Sequence, residues 1–170
     1  MKINKKLFII PIILVLAVII VLVIKKDNVE DYKPTDFSSY SDINQGQSEE
    51  EHYKQYNAIV EEKSKNNEEV PNLIFVFKKE GCNACEEAET NIVKNLNKLK
   101  GKVYAIEIET KDGIPSWLSK TKYIDYAYNS EQVIKTPTVI NFEDDKLVGR
   151  SFGSYSSDIR KSIHGSLVQN

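Results

Sequence analysis

The 170-residue chain has room for one folded domain and some appended segments, and its 25 acidic and 23 basic residues leave a net charge of −2. That figure averages three unlike parts: residues 1–26 hold five lysines and no acid, residues 27–70 twelve acids against four bases, and residues 71–170 fourteen bases against thirteen acids. None of them makes the basic face interleaved with aromatics that a nucleic-acid binder presents, so no nucleic-acid partner is expected.

The amino-terminal part reads as a membrane anchor. From Leu7 to Ile24 the chain is apolar for 18 residues without a break, near the lower length that spans a hydrocarbon core. The run exceeds the apolar region of a typical cleaved signal peptide. Pro11 falls early in it, where a missing N–H costs least. Lys2, Lys5 and Lys6 precede the run, whereas Lys25 and Lys26 are followed closely by Asp27, Glu30 and Asp31. The lysine balance favours a cytoplasmic amino terminus by a small margin. No small-residue cleavage site follows Ile24, and no Cys is there to accept a lipid. The expectation is therefore an uncleaved signal anchor over residues 1–26, one transmembrane helix held in the lipid bilayer, with a cleaved signal as the competing reading. Everything after it is then extracytoplasmic. Residues 27–47 are polar and acidic, with Pro34, Gly46 and several Ser and no apolar periodicity, and read as a tether.

Ser48-Glu49-Glu50-Glu51 matches a capping box and opens the folded domain, residues 48–170, with a helix to about Ser64. Tyr53, Tyr56, Ile59 and Val60 recur at helical spacing as its inward stripe. Asn66, Asn67 and Pro71 end it. Leu73 to Phe77 is continuous, aromatic and β-branched, a buried strand. Cys85, Ala88, Ile92, Leu96 and Leu99 fall three or four apart, which predicts an amphipathic helix beginning near Cys85 and closed by Gly101. Val103 to Ile108 alternates as a second strand. After the Asp112-Gly113 turn and Pro115, the residues Trp117, Leu118, Tyr123, Ile124 and Tyr128 fit one or two short helices. Thr138 to Phe142 is a strand, Glu143-Asp144-Asp145 its turn and Lys146 to Arg150 the returning arm of a hairpin. Gly153 breaks the pattern, and a last helix from near Ser157 carries Ile159, Ile163 and Leu167. This order predicts a three-layer α/β domain with a mixed central sheet, preceded by the one transmembrane helix.

Cys82-Asn83-Ala84-Cys85 holds the only two cysteines and sits between the first strand and the helix after it. A Cys-x-x-Cys at that junction is the usual geometry of reversible dithiol chemistry: the sulfurs can bond to each other, and the first sits where unpaired N–H groups favour a thiolate. Zinc needs four ligands, and only His52 and His164, far from the pair and from each other, could supplement it; no metal is expected. A c-type haem needs His after the second Cys, where Glu86 stands, and no other cofactor is implied. A purely structural disulfide would close a loop of two residues and remove little chain entropy. With the pair outside the membrane and no third Cys to protect, its clients are other molecules.

Over roughly residues 49–170 the chain resembles the thioredoxin superfamily. The strand, Cys-x-x-Cys and helix at 73–99 carry the resemblance, together with Lys135-Thr136-Pro137-Thr138 before the hairpin. It implies that Pro137 is cis and faces the dithiol, and that Thr136 offers its backbone to an extended client; an ordinary trans proline at a strand start is the alternative. Layout and Lys/Ile/Asn-rich composition further resemble small membrane-anchored thioredoxin-like proteins of Gram-positive bacteria, some described as bacteriocin-transport accessory proteins. The motif departs from that of thioredoxins proper, which have Trp before the first Cys, Gly-Pro within the motif and a buried acid six residues upstream. Here Gly81, Asn83-Ala84 and Val76 hold those places. That puts a thioredoxin-reductase partner in doubt and leaves any proton shuttle to water or another carboxylate.

The resemblance implies a thiol–disulfide oxidoreductase with Cys82 as attacking thiolate and Cys85 as resolving thiol, acting on protein or peptide clients. A membrane or extracellular partner would reset it, and a monomer is expected. Glu86, Glu87 and Glu89 repel a neighbouring thiolate, and Lys78 and Lys79 are the nearest cations, so the expected direction is reducing or intermediate. The alternatives are an accessory or chaperone that binds a secreted peptide without turning it over, and an idle module, against which the intact Cys pair argues. Trp117 and Tyr123 are expected in the core rather than capping the groove.

Overall fold

The computed structural model describes residues 48–165. The expected transmembrane helix, the tether and Leu167 lie outside them; among the described residues no helix is long and apolar enough to cross a membrane.

Helix α1 (Glu49–Lys65) starts as the sequence predicts. The Ser48 hydroxyl accepts the Glu51 N–H, and the Glu51 carboxylate accepts the Ser48 N–H, so two groups that would otherwise lack helical partners are satisfied. Strand β1 (Asn72–Lys78) leads to α2 (Asn83–Lys98), β2 (Val103–Glu109), two short 3₁₀ turns (Leu118–Lys120 and Ile124–Tyr126), the hairpin β3 (Thr138–Glu143) and β4 (Lys146–Phe152), and α3 (Ser156–Ile163). The sheet order is β2-β1-β3-β4, with β1 and β2 parallel and the other two pairings antiparallel.

Central β1 is buried on both sides and sorts its residues by parity. Ile74 and Val76 face α2 and α3, where they join Ala88, Ile92, Leu96, Ile159 and Ile163. Leu73, Phe75 and Phe77 face the other way and join Tyr56, Leu118, Tyr123 and Phe142, with Tyr53 and Trp117 packed against them. Helices therefore cover both faces of a mixed sheet, as the element order predicts. Trp117 stacks on Tyr53 with ring centroids 5.0 Å apart, so the 3₁₀ segment is core on the side away from α2.

The hairpin turns on Asp144 and Asp145 at φ 46° and 65°, the paired left-handed residues of a tight two-residue turn. Its arms are longer than the sequence suggests: β4 runs to Phe152, opposite Thr138. The β3–β4 register shifts at Asn141/Phe142, beside Gly149. Here α3 comes so close that a Cβ on Gly149 would collide with the Ser162 carbonyl. Buried Asn141 donates to the carbonyls of Ser162 (3.2 Å) and Ile163 (2.9 Å), partnering the last turn of α3.

Candidate active site

Gly81, at φ 70°, lets the chain leave β1 and turn into α2. Cys82 is the helix N-cap, with extended backbone, and its Sγ accepts the Cys85 N–H at 3.2 Å. The helix thus begins at Asn83, two residues before the expected start, because a sulfur performs the capping that apolar spacing does not report. A sulfur in this place also faces the positive end of the helix, which favours its anionic form.

Cys82 and Cys85 are disulfide-bonded, with Cα atoms 5.2 Å apart. Their surroundings differ: Cys82 is half-buried, whereas Cys85 is only 4% exposed. A client sulfur has access to the first and not to the second. Opposite Cys82 stands the start of β3. The Thr136–Pro137 peptide is cis, and Thr136 Oγ1 and O lie 3.4 and 3.6 Å from Cys82 Sγ. Pro137 is buried, and its carbonyl accepts the Gly153 N–H at 2.7 Å, which ties this corner to the end of β4. Cys82, Cys85, Thr136 and Pro137, chosen from the sequence, are gathered at one place.

No family model and no curated protein matches the chain. Solved structures do. A thioredoxin from Trypanosoma brucei brucei is 19% identical, with a TM-score of 0.42 over 62% of this chain and 82% of that one. The germline-specific thioredoxin Deadhead from Drosophila melanogaster is 12% identical, with a TM-score of 0.43 over 62% and 89%. Mitochondrial thioredoxin 3 from Saccharomyces cerevisiae, in its oxidized form, is 17% identical, with a TM-score of 0.42 over 64% and 96%. The mixed sheet with helices on both faces, the dithiol at the start of α2 and Thr136 against it are this chain's own, and they match the expectation from the sequence. The fold is thioredoxin-like.

Around the dithiol the charges are arranged unevenly. A hollow of about 190 Å³ beside Cys82 and Cys85 is lined by Lys78, Glu86, Glu89 and Glu109, among others. Of Glu86, Glu87 and Glu89 only Glu86 lies in the first turn of α2; Glu87 accepts from Ser154 at 3.5 Å, at the approach to α3. At the rim Lys111 pairs with Glu80. Val76, in the place of the missing acid, is fully buried among apolar side chains. Its neighbour on β2 is Glu107, whose Oε1 is 2.5 Å from Lys78 Nζ. Burial pushes the Glu107 carboxyl above the usual range, and the Lys78 ammonium pulls against it.

Glu107 was not singled out from the sequence, although the alternation of β2 contains it. Val103 and Ala105 face α2, and Glu107 is the next residue of the same parity. The histidines are engaged elsewhere. His52 lies against the Tyr104 ring, its Nδ1 3.1 Å from the Tyr104 hydroxyl, and His164 Nε2 is 3.3 Å from Asn95 Oδ1. Among the described residues no cluster of three or more His, Cys, Asp and Glu is placed to hold a metal.

Proposed function

We propose that the chain is a membrane-anchored thiol–disulfide oxidoreductase of Gram-positive type, similar in layout to the bacteriocin-transport accessory group, acting outside the cytoplasm on secreted or surface proteins. The observation that carries this reading is the unequal exposure of two bonded cysteines at a helix N-terminus, with Thr136 against the exposed one. The apolar run at 7–24 and the lysines before it support the location.

In the reducing direction the Cys82 thiolate attacks a client disulfide. The Cys82–client disulfide forms, and one client sulfur leaves as thiolate. Cys85 then gives up its proton and attacks Cys82 Sγ. The Cys82–Cys85 bond forms, the second client sulfur leaves, and two electrons have passed to the client. The reverse sequence oxidises a client dithiol. The Cys85 N–H and the Thr136 hydroxyl stabilise the attacking thiolate, while Glu86 and Glu89 oppose it, which favours a reducing or intermediate direction. Thr136 presents its backbone to the client chain.

The test is Cys85→Ala in the full chain. Without the resolving sulfur, client disulfides accumulate on Cys82 and separate under reducing conditions. Clients that are held equally well after replacement of both cysteines would instead show a binder of secreted peptides and sink the exchange reading.

A further inference from the structure

Charge is distributed unequally across the end of the sheet that bears the dithiol. Strands β2 and β4 are the two edges, and between them lie β1, which leads to Cys82, and β3, which follows Pro137. Toward β2, the hollow that holds both cysteines is lined by Glu80, Glu86, Glu89 and Glu109, with Lys78 and Lys79. Toward β4 lies a second hollow, of about 420 Å³, lined by Tyr128, Asn129, Ser130, Lys135, Arg150 and Phe152. Its wall holds cations and aromatic rings and no acid.

Three observations point to a client side chain as the occupant of this second hollow. First, it adjoins the corner opposite Cys82. Lys135 precedes Thr136, whose hydroxyl is 3.4 Å from Cys82 Sγ, and Phe152 is the register partner of Thr138. Gly153, the residue after Phe152, donates its N–H to the Pro137 carbonyl. Second, Arg150 and Phe152, two apart on β4, share one face of the strand. The guanidinium lies over the Phe152 ring, 5.1 Å from its centre, and among the described residues it makes no ion pair. Third, the one acid of the loop before Thr136, Glu131, is engaged by Lys135 at 3.5 Å and by Asn129 Nδ2 at 3.4 Å.

We propose that this hollow is a client subsite, in which Arg150 receives a carboxylate side chain from within two residues of the attacked client cysteine. The inference rests on the exchange reading above. An extended client advances about 3.3 Å per residue, so one that lies along Thr136 carries such a side chain past Lys135. The planar guanidinium can hold the carboxylate by two parallel N–H···O bonds, and the ring beneath it limits the freedom that binding must remove. Lys135 adds less, because Glu131 already offsets its charge. On the β2 side of Cys82 the acids repel the same client carboxylate. The two hollows therefore select the client and also fix which way it crosses the dithiol.

The experiment compares symmetric disulfides of three short peptides, in which the Cys has two Glu before it, two Glu after it, or Gln in all four places. The reduced full chain is used in excess, and each rate constant is divided by that of the Gln peptide with the same protein. In wild type one acidic peptide reacts about fivefold faster than the other. Arg150→Met, which keeps the stem over Phe152, lowers the ratio for that peptide about fivefold and spares the other. Arg150→Glu makes Lys faster than Gln at the same two places. Ratios that Arg150→Met leaves unmoved, or lowers equally for both acidic peptides, overturn the proposal. Should one variant not fold, the other decides. Wild type that reduces none of the peptides contradicts the exchange reading instead. Affinities of linear analogues with Ser for Cys, from NMR titration of wild type and the same variants, then decide Arg150 by the same ratios.

Discussion

Cys82 stands where a helix N-terminus, its Cys85 N–H and the Thr136 hydroxyl meet. The Thr136 hydroxyl, 3.4 Å from the sulfur, is the simplest to remove, because Thr136→Val keeps the shape and leaves the backbone in place. A hydrogen bond to a charged group contributes about 1.5 kcal/mol, so the Cys82 thiolate population below its titration midpoint should fall roughly tenfold. The remaining thiolate is more basic and more nucleophilic, which restores part of the rate. Attack on a small disulfide at neutral pH is expected to slow by roughly threefold, measured by stopped-flow with the reduced protein in excess. An unchanged rate would mean that Thr136 acts only through its backbone. The residues of the dithiol were legible in the sequence because Cys-x-x-Cys is a local pattern. The Lys78–Glu107 pair was not, since the two lie on neighbouring strands and meet only once β1 and β2 are paired.

At the scale of elements, what holds the site is the fit of α3 against the hairpin that carries Thr136 and Pro137. Gly149 lets the Ser162 carbonyl approach β4, and Asn141 supplies donors to the same turn. Gly149→Ala must push α3 away or bend β4, and overpacking of this kind costs about 1–3 kcal/mol. Chemical denaturation should show that loss as a lower midpoint. An unchanged midpoint would remove Gly149 from its assigned place. The periodicities of α1, β1 and α2 were plain from the sequence because each buries a repeating face. The start of α2 was misplaced by two residues, and the close approach at Gly149 was invisible. Capping by sulfur and contact between β4 and α3 have no signature in apolar spacing. Thr136 and Pro137, 54 residues from Cys82, were reached through the family resemblance and not through any local pattern.

For the molecule as a whole, the two faces of the sheet divide the labour. On one side α1 and the 3₁₀ turns bury aromatic rings against Phe75 and Phe142, a packed core with no part in the chemistry. On the other, α2 and α3 close over Ile74 and Val76, and the end that bears the dithiol is lined by Glu80, Glu86, Glu89 and Glu109, with Lys78 and Lys79 among them. Acids near the attacking sulfur work against its thiolate, and a less stabilised thiolate makes a weaker oxidant. The measurement that tests this most directly is the reduction potential of the Cys82–Cys85 couple in the full chain, by thiol trapping in redox buffers. The expected value lies between about −270 and about −180 mV, the range from thioredoxin to protein disulfide isomerase. A value near about −120 mV would contradict the charge argument and make the protein an oxidant of secreted clients. One below about −300 mV would contradict exchange itself and leave Cys82–Cys85 as a structural bond.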